Sequence, residues 1–205
     1  MNSKDLENVD EVINFINTTI PDEVVKFRLH LDKETDRGCA LMAAAFLDEL
    51  LKKLLEKYMV NEPNSFKELF TGSGGLSSFS SKINLSYLLG LISEKSKRDL
   101  HIIRKIRNEF AHSMEIIDFE HPPIASRCRE LHHNVFRDEL SPRKSFVRIA
   151  FGVAGLLNGA MLMVEKRSVH ENIDFDSDEW LKGIVSSEKL LKEIALYQIN
   201  NNEQK

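Results

Sequence analysis

TDRGCALMAAAFLDELLKKLLEKYM (35–59) is the stretch whose reading decides the fold. Its first half, Gly38 to Leu47, carries no charge, which predicts a helix buried on most sides. In its second half Asp48, Glu49, Lys52, Lys53, Glu56 and Lys57 fall on one face at helical spacing. Leu47, Leu50, Leu51, Leu54, Leu55 and Tyr58 fall on the other. A helix with one apolar face must bury that face against other elements, and the flanking sequence offers only more helices.

Upstream, Val12, Ile13, Phe15 and Ile16 mark an N-terminal helix ended by Pro21, and Val24 to Leu31 a second short one. Downstream, TGSGGLSSFSS (71–81) is a Gly-Ser loop, read as a connector. Ile83, Leu85, Tyr87, Leu88, Leu89, Leu91 and Ile92 make one apolar helix beginning near Lys82. Ser93 or Ser96 can cap the next, with Asp99 three residues after Ser96 as in a capping box. That helix runs to about Ser113. Glu115 to Pro123 is a polar, Pro-containing connection, and a short helix with loops reaches Pro142.

Phe146 to Val164 is apolar apart from Arg148 and Asn158. Its charge-free part, from Ile149, falls short of the roughly 20 apolar residues of a membrane span, so a buried helix is expected, with no membrane contact. Gly155 and Gly159 there suggest close backbone approach to a partner helix, in the fold or a dimer interface. On that reading Gly155→Leu costs about 1–3 kcal/mol by overpacking. A last helix spans about Asp178 to Tyr197, and the tail from about 198 to 205 is expected to fray. No stretch alternates long enough to build a sheet. The expectation is an all-α, single-domain bundle over 1–205, with about seven to nine helices.

Composition agrees. The chain has 205 residues, 42% of them hydrophobic and 29% charged, which is ordinary globular usage. Cys39 and Cys128 stand in no metal or redox spacing, and MNSKDLENVDEVINF lacks a basic, then apolar, leader, so a cytoplasmic location is expected. The net charge of −4 argues against unaided DNA binding, which needs a basic surplus or face to neutralise phosphates.

IRNEFAH (106–112) carries the most chemistry. On a helix Arg104, Arg107, Asn108, Ala111 and His112 share one face, while Leu100, Ile103, Ile106 and Phe110 point to the core. Arg104 and Arg107 are candidate phosphate or partner contacts, and His112 a candidate proton-transfer group, since imidazole titrates near neutrality. The same residues also fit a structural role, with Arg107 paired to Asp48 or Glu49 and His112 stabilising the helix C-terminus.

Cys128, His132 and His133 bring two ligand types to helical spacing, with Glu130, His121 or Asp138 as further donors, yet match no recognised metal pattern. The Gly-Ser loop lacks the GK[ST] ending of a phosphate loop. No cofactor or metal is expected, nor a GxSxG elbow or helix-turn-helix signature.

DRGCALMAAAFLDELL (36–51), LFTGSGGLSSFSSKINLSYLLGLI (69–92) and LHIIRKIRNEFAH (100–112) together resemble the mannitol operon repressor family, most strongly over 36–112. The resemblance implies an all-helical regulator of transcription without an obvious DNA-binding motif. Such a regulator is expected to work as a homodimer through a protein partner or a complex, with DNA contact indirect or weak. Arg107, Asn108 and His112 also resemble the R-x4-H motif of HEPN domains, helical dimers that include metal-independent ribonucleases. That second resemblance implies, as the alternative, a ribonuclease or RNA-binding module. In it Arg107 would bind the scissile phosphate, His112 move a proton and Asn108 support them.

Overall fold

The computed structural model describes residues 21–132, 140–170 and 177–202. Among them are eight α-helices and no strand: α1 (Asp22–Lys33), α2 (Asp36–Tyr58), α3 (Pro63–Phe70), α4 (Phe79–Leu88), α5 (Glu94–His112), α6 (Pro122–Arg129), α7 (Pro142–Met163) and α8 (Asp178–Asn202). The helix expected around Val12 to Ile16, together with His133 and Asp138, lies outside the described residues. The chain clusters into two compact units, one ending at Ser168 and the other beginning at Val169.

In the first unit α2 is the central strut. The Thr35 hydroxyl caps it by accepting from the Gly38 amide at 3.1 Å. Its apolar face (Cys39, Ala40, Ala43, Leu47, Leu51, Leu54, Leu55) is buried against α1, α4, α5 and α7. The charge-free half is less enclosed than its composition suggests, because Leu41 is 39% exposed. Alanines at 43 and 44 let neighbours pack closely without requiring burial all round.

Helix α5 starts at Ser93, whose hydroxyl accepts from the Ser96 amide. Asp99 is fully buried and serves a distant segment instead of a capping box: its carboxylate accepts the His132 amide at 2.6 Å. Leu100, Ile103, Ile106 and Phe110 are all fully buried, as the spacing predicts. Phe110, Phe119 and Phe146 pack in sequence, the first pair edge-on and the second tilted, with ring centroids 5.1 and 5.0 Å apart, and tie α5 and the following connector to α7.

Helix α3 has no counterpart in the sequence reading. The Glu62 carboxylate caps it by accepting from Asn64 and Ser65, Pro63 occupies its first turn, and Phe66 stacks on Phe70. The Gly-Ser segment after it folds back on it: Leu76 donates to the Leu69 carbonyl at 2.9 Å. A Cβ at Gly74 would lie 2.2 Å from the Glu68 carbonyl oxygen, so only glycine fits there. The loop is also shorter than its composition indicates, since the Ser78 hydroxyl caps α4, which begins at Phe79.

Helix α7 buries one face (Phe146, Ile149, Ala150, Val153, Ala154, Leu157). Its length and mean hydropathy of 1.7 are those of a membrane-crossing helix, yet this face belongs to the core cluster. The opposite face corrects the expectation of close approach within the fold. Gly152 and Gly159 are exposed, and a Cβ built at Gly152, Gly155 or Gly159 meets nothing within 4 Å. The glycines thus make no close approach among the described residues. At its N-terminus the Arg143 guanidinium donates to Asp36 and to the backbone carbonyls of Leu31 and Glu34, clamping α7 to the junction of α1 and α2.

The second unit contains α8, begun by the Ser177 hydroxyl accepting from Trp180 at 3.3 Å. Its helical structure is described as far as Asn202. Trp180, Leu181, Ile184, Leu191 and Ile194 form a partly exposed apolar stripe along it.

Candidate functional site

A helix advances about 100° per residue, so Arg104, Asn108 and His112 stack along one line of α5, with Lys105 and Glu109 beside them. Helix α6 and the connector before it return alongside this line and leave a groove of about 550 Å³. Its walls are Arg104, Lys105, Asn108, Glu109, His112 and Ser113 from α5 and its cap, Glu115, Ile117 and His121 from the connector, and Arg127 from α6.

The connector, polar in composition, is an ordered wall. Arg37 donates to the carbonyls of Ser113 and Glu115 at 3.1 and 3.0 Å. The Asp36 carboxylate accepts the Phe119 amide at 2.9 Å, and the Phe119 ring is buried. The Asp118 carboxylate accepts from the amides of Glu120 and His121, fixing the turn into α6. Met114 and Ile116 project fully into solvent beside the groove.

Within the groove Arg127 is committed to Glu109 at 2.6 Å. Arg104 has no such carboxylate among the described residues, and its Nε is buried without a hydrogen-bond partner; so is Nδ1 of His121. The field of the cations extends to a neighbour. His101, bonded to Asn84 at 3.0 Å, has its pKa lowered first by burial and then by Arg104, Lys97 and Lys105.

Arg107 departs from the stripe that the spacing predicts. It borders no part of the groove and stands on the side of Asp48, whose carboxyl it helps to keep ionised. The pairing expected there is not the one formed. Asp48 binds the buried Lys82 at 2.9 Å, Glu49 lies 3.9 Å from Lys52, and Arg107 pairs with no carboxylate among the described residues. Burial is the largest influence on Asp48 and raises its pKa, with Lys82 opposing. The geometry therefore brings Arg104, Asn108 and His112 together and sets Arg107 apart.

The Cys128 cluster is dispersed. Cys128 is buried in the core, and burial pushes its thiol up to about 12, while His132 turns to Asp99 at 3.3 Å. His121 joins the groove instead.

Residues 23–144 match the family profile described as Mannitol repressor. The chain belongs to the mannitol repressor family. Membership makes it a repressor-like regulator of transcription, and the groove, from Arg104 to Arg127, falls wholly inside the matched segment. Most of α7 and all of α8 lie beyond it. No individually curated protein matches the chain. Among solved structures it is similar to MtlR in the MtlR-HPr complex from Escherichia coli. The identity is 19%, the likeness covers 66% of this chain and 98% of that one, and the TM-score is 0.56, a likeness of fold.

Lys105, Glu109, Ser113, Glu115, His121 and Arg127 escape the sequence reading of the site. Lys105 and Glu109 sit one position beyond Arg104 and Asn108, so a wider helical face includes them. His121 and Arg127 arrive through a chain reversal that local spacing does not encode.

Proposed function

We propose that this member of the mannitol repressor family regulates transcription as a cytoplasmic homodimer that binds a protein partner and reaches DNA indirectly. The observation that carries this reading is the likeness in fold to a relative whose structure holds it with HPr, a protein. Two features of this chain support it. The net charge of −4 offers little general attraction to a polyanion. Met114 and Ile116 are fully exposed on a connector whose backbone Arg37 pins, and apolar side chains presented to water from an ordered backbone are suited to anchor a protein interface.

The test is calorimetric titration of the purified protein with HPr from the same cells, alongside sedimentation to read the oligomeric state. Saturable binding weakened at least tenfold by the double replacement Met114→Ser and Ile116→Ser is expected. No heat of binding, or a monomer at all concentrations, contradicts the corresponding half of the proposal. Gel shifts at low and physiological salt complete it: tight, sequence-specific DNA binding by the protein alone removes the need for a partner.

The ribonuclease alternative asks Arg107 and His112 to meet one phosphate. Within a single chain they part, Arg107 toward Asp48 and His112 into the groove, which leaves that chemistry dependent on groups from a second copy. RNA cleavage in EDTA, abolished by His112→Ala in a folded protein, is the result that restores it.

A further inference from the structure

The groove between α5 and α6 holds more unspent positive charge than the fold uses. Arg127 is neutralised by Glu109, but neither Arg104 nor Lys105 has a carboxylate partner among the described residues. Buried polar atoms are ordinarily hydrogen-bonded, and an unsatisfied donor costs about 1–3 kcal/mol. Two polar atoms without a partner, Nε of Arg104 and Nδ1 of His121, a donor or an acceptor according to tautomer, belong to residues of α5 and the connector that line this one groove.

We propose that the groove binds a small phosphate monoester, with Arg104 and Lys105 of α5 as its principal cationic contacts and His112 and His121 as further donors. Four donor side chains approach from two elements, which suits a tetrahedral dianion with several acceptor oxygens better than a planar carboxylate. The same cations act on a neighbour: burial first, and then Arg104, Lys97 and Lys105, lower the pKa of His101. The size is that of a small-molecule site: about 550 Å³ lies within the ~300–1,000 Å³ usual for such pockets. The surroundings limit the ligand to one phosphate. Glu115 lines the groove and Asp118 lies on the same connector, so these carboxylates add repulsion with each further phosphate of a polyanion.

This inference does not rest on the partner reading, since it is tested on the protein alone. Full-length protein is titrated calorimetrically with inorganic phosphate, glycerol 1-phosphate, succinate and a short RNA, at ionic strength held constant with chloride. Saturable binding of phosphate is expected, tighter for glycerol 1-phosphate and at least tenfold weaker in Arg104→Gln. Lys105 is exposed, so Lys105→Gln keeps the fold and is expected to weaken binding severalfold even if Arg104→Gln fails to fold. Arg98→Gln, on a residue bound to Glu94 and outside the groove, is expected to bind as the parent does. The proposal is overturned by no saturation above the chloride control, by succinate binding as well as phosphate, or by RNA binding more tightly than the monoester. Undiminished binding in Lys105→Gln also overturns it.

Discussion

Replacing Gly155 with alanine adds one methyl group to a helix surface where nothing lies within 4 Å of it, and the same holds at Gly152 and Gly159. Glycine inside a helix costs about 1 kcal/mol relative to alanine, chiefly because it has more backbone freedom to lose. With no neighbour to strike, each replacement should return most of that cost. We expect Gly155→Ala to stabilise the protein by about 0.5–1 kcal/mol, which for a domain of this size raises Tm by about 1–4 °C. The triple alanine variant should gain about 2 kcal/mol. Denaturant unfolding followed by circular dichroism reads the change, repeated at concentrations where sedimentation finds monomer and where it finds dimer. A loss of 1 kcal/mol or more in the monomer refutes the reasoning, because the methyl group would then have met an obstacle inside the chain. A gain in dilute solution that turns into a loss on concentration places a second copy against the glycine face of α7.

Three other outcomes follow from the packing and the titrating groups. Arg143→Ala should cost about 3 kcal/mol, since it leaves the Asp36 carboxylate and two backbone carbonyls without a charged donor; an unchanged denaturation midpoint would show the clamp to be idle. Both thiols should resist a disulfide reagent in the native state and react only on unfolding, because Cys39 and Cys128 are buried and their pKa values are pushed up to about 12. Rapid labelling without denaturant contradicts that burial. The lowered pKa of His101 means that below its ordinary 6.5 the unfolded chain takes up the proton more readily than the folded one. Stability should therefore fall as pH drops from 6.5 through the folded value, and His101→Gln should lose less across that window. Equal losses in parent and variant contradict this.

What the sequence disclosed was whatever periodicity encodes. The buried face of α5 and the leucine face of α2 are regular enough that spacing alone assigns them to the core. Short elements escaped: the eight residues of α3 are too few to show a period, although Glu62 followed by Pro63 is a readable start signal. Serine-rich composition misplaced the start of α4, because Ser78 serves as a cap, the role in which serine favours helices. The glycines of α7 suggest close contacts, yet within one chain they make none: a small residue records only that no side chain is there, not that a neighbour fills the space. At the site, Arg104, Asn108 and His112 were visible along one helical line. The separation of Arg107 was not, because it depends on the side of α5 on which Asp48 and Lys82 lie, a matter of packing between distant segments.

Asp36 is shared property. One of its carboxylate oxygens receives Arg143 from the start of α7 and the other the amide of Phe119 in the groove wall, while its neighbour Arg37 grips the same wall at Ser113 and Glu115. A single turn of α2 therefore grips two parts of the first unit that also meet through Phe119 and Phe146. Whatever loads the connector, whether a protein seated on Met114 and Ile116 or an anion drawn in beside His121, pulls on the residue that anchors α7. The amides of the connector and of the first turns of α7 should exchange with solvent together, as one cooperative unit, and gain protection together when either site is filled.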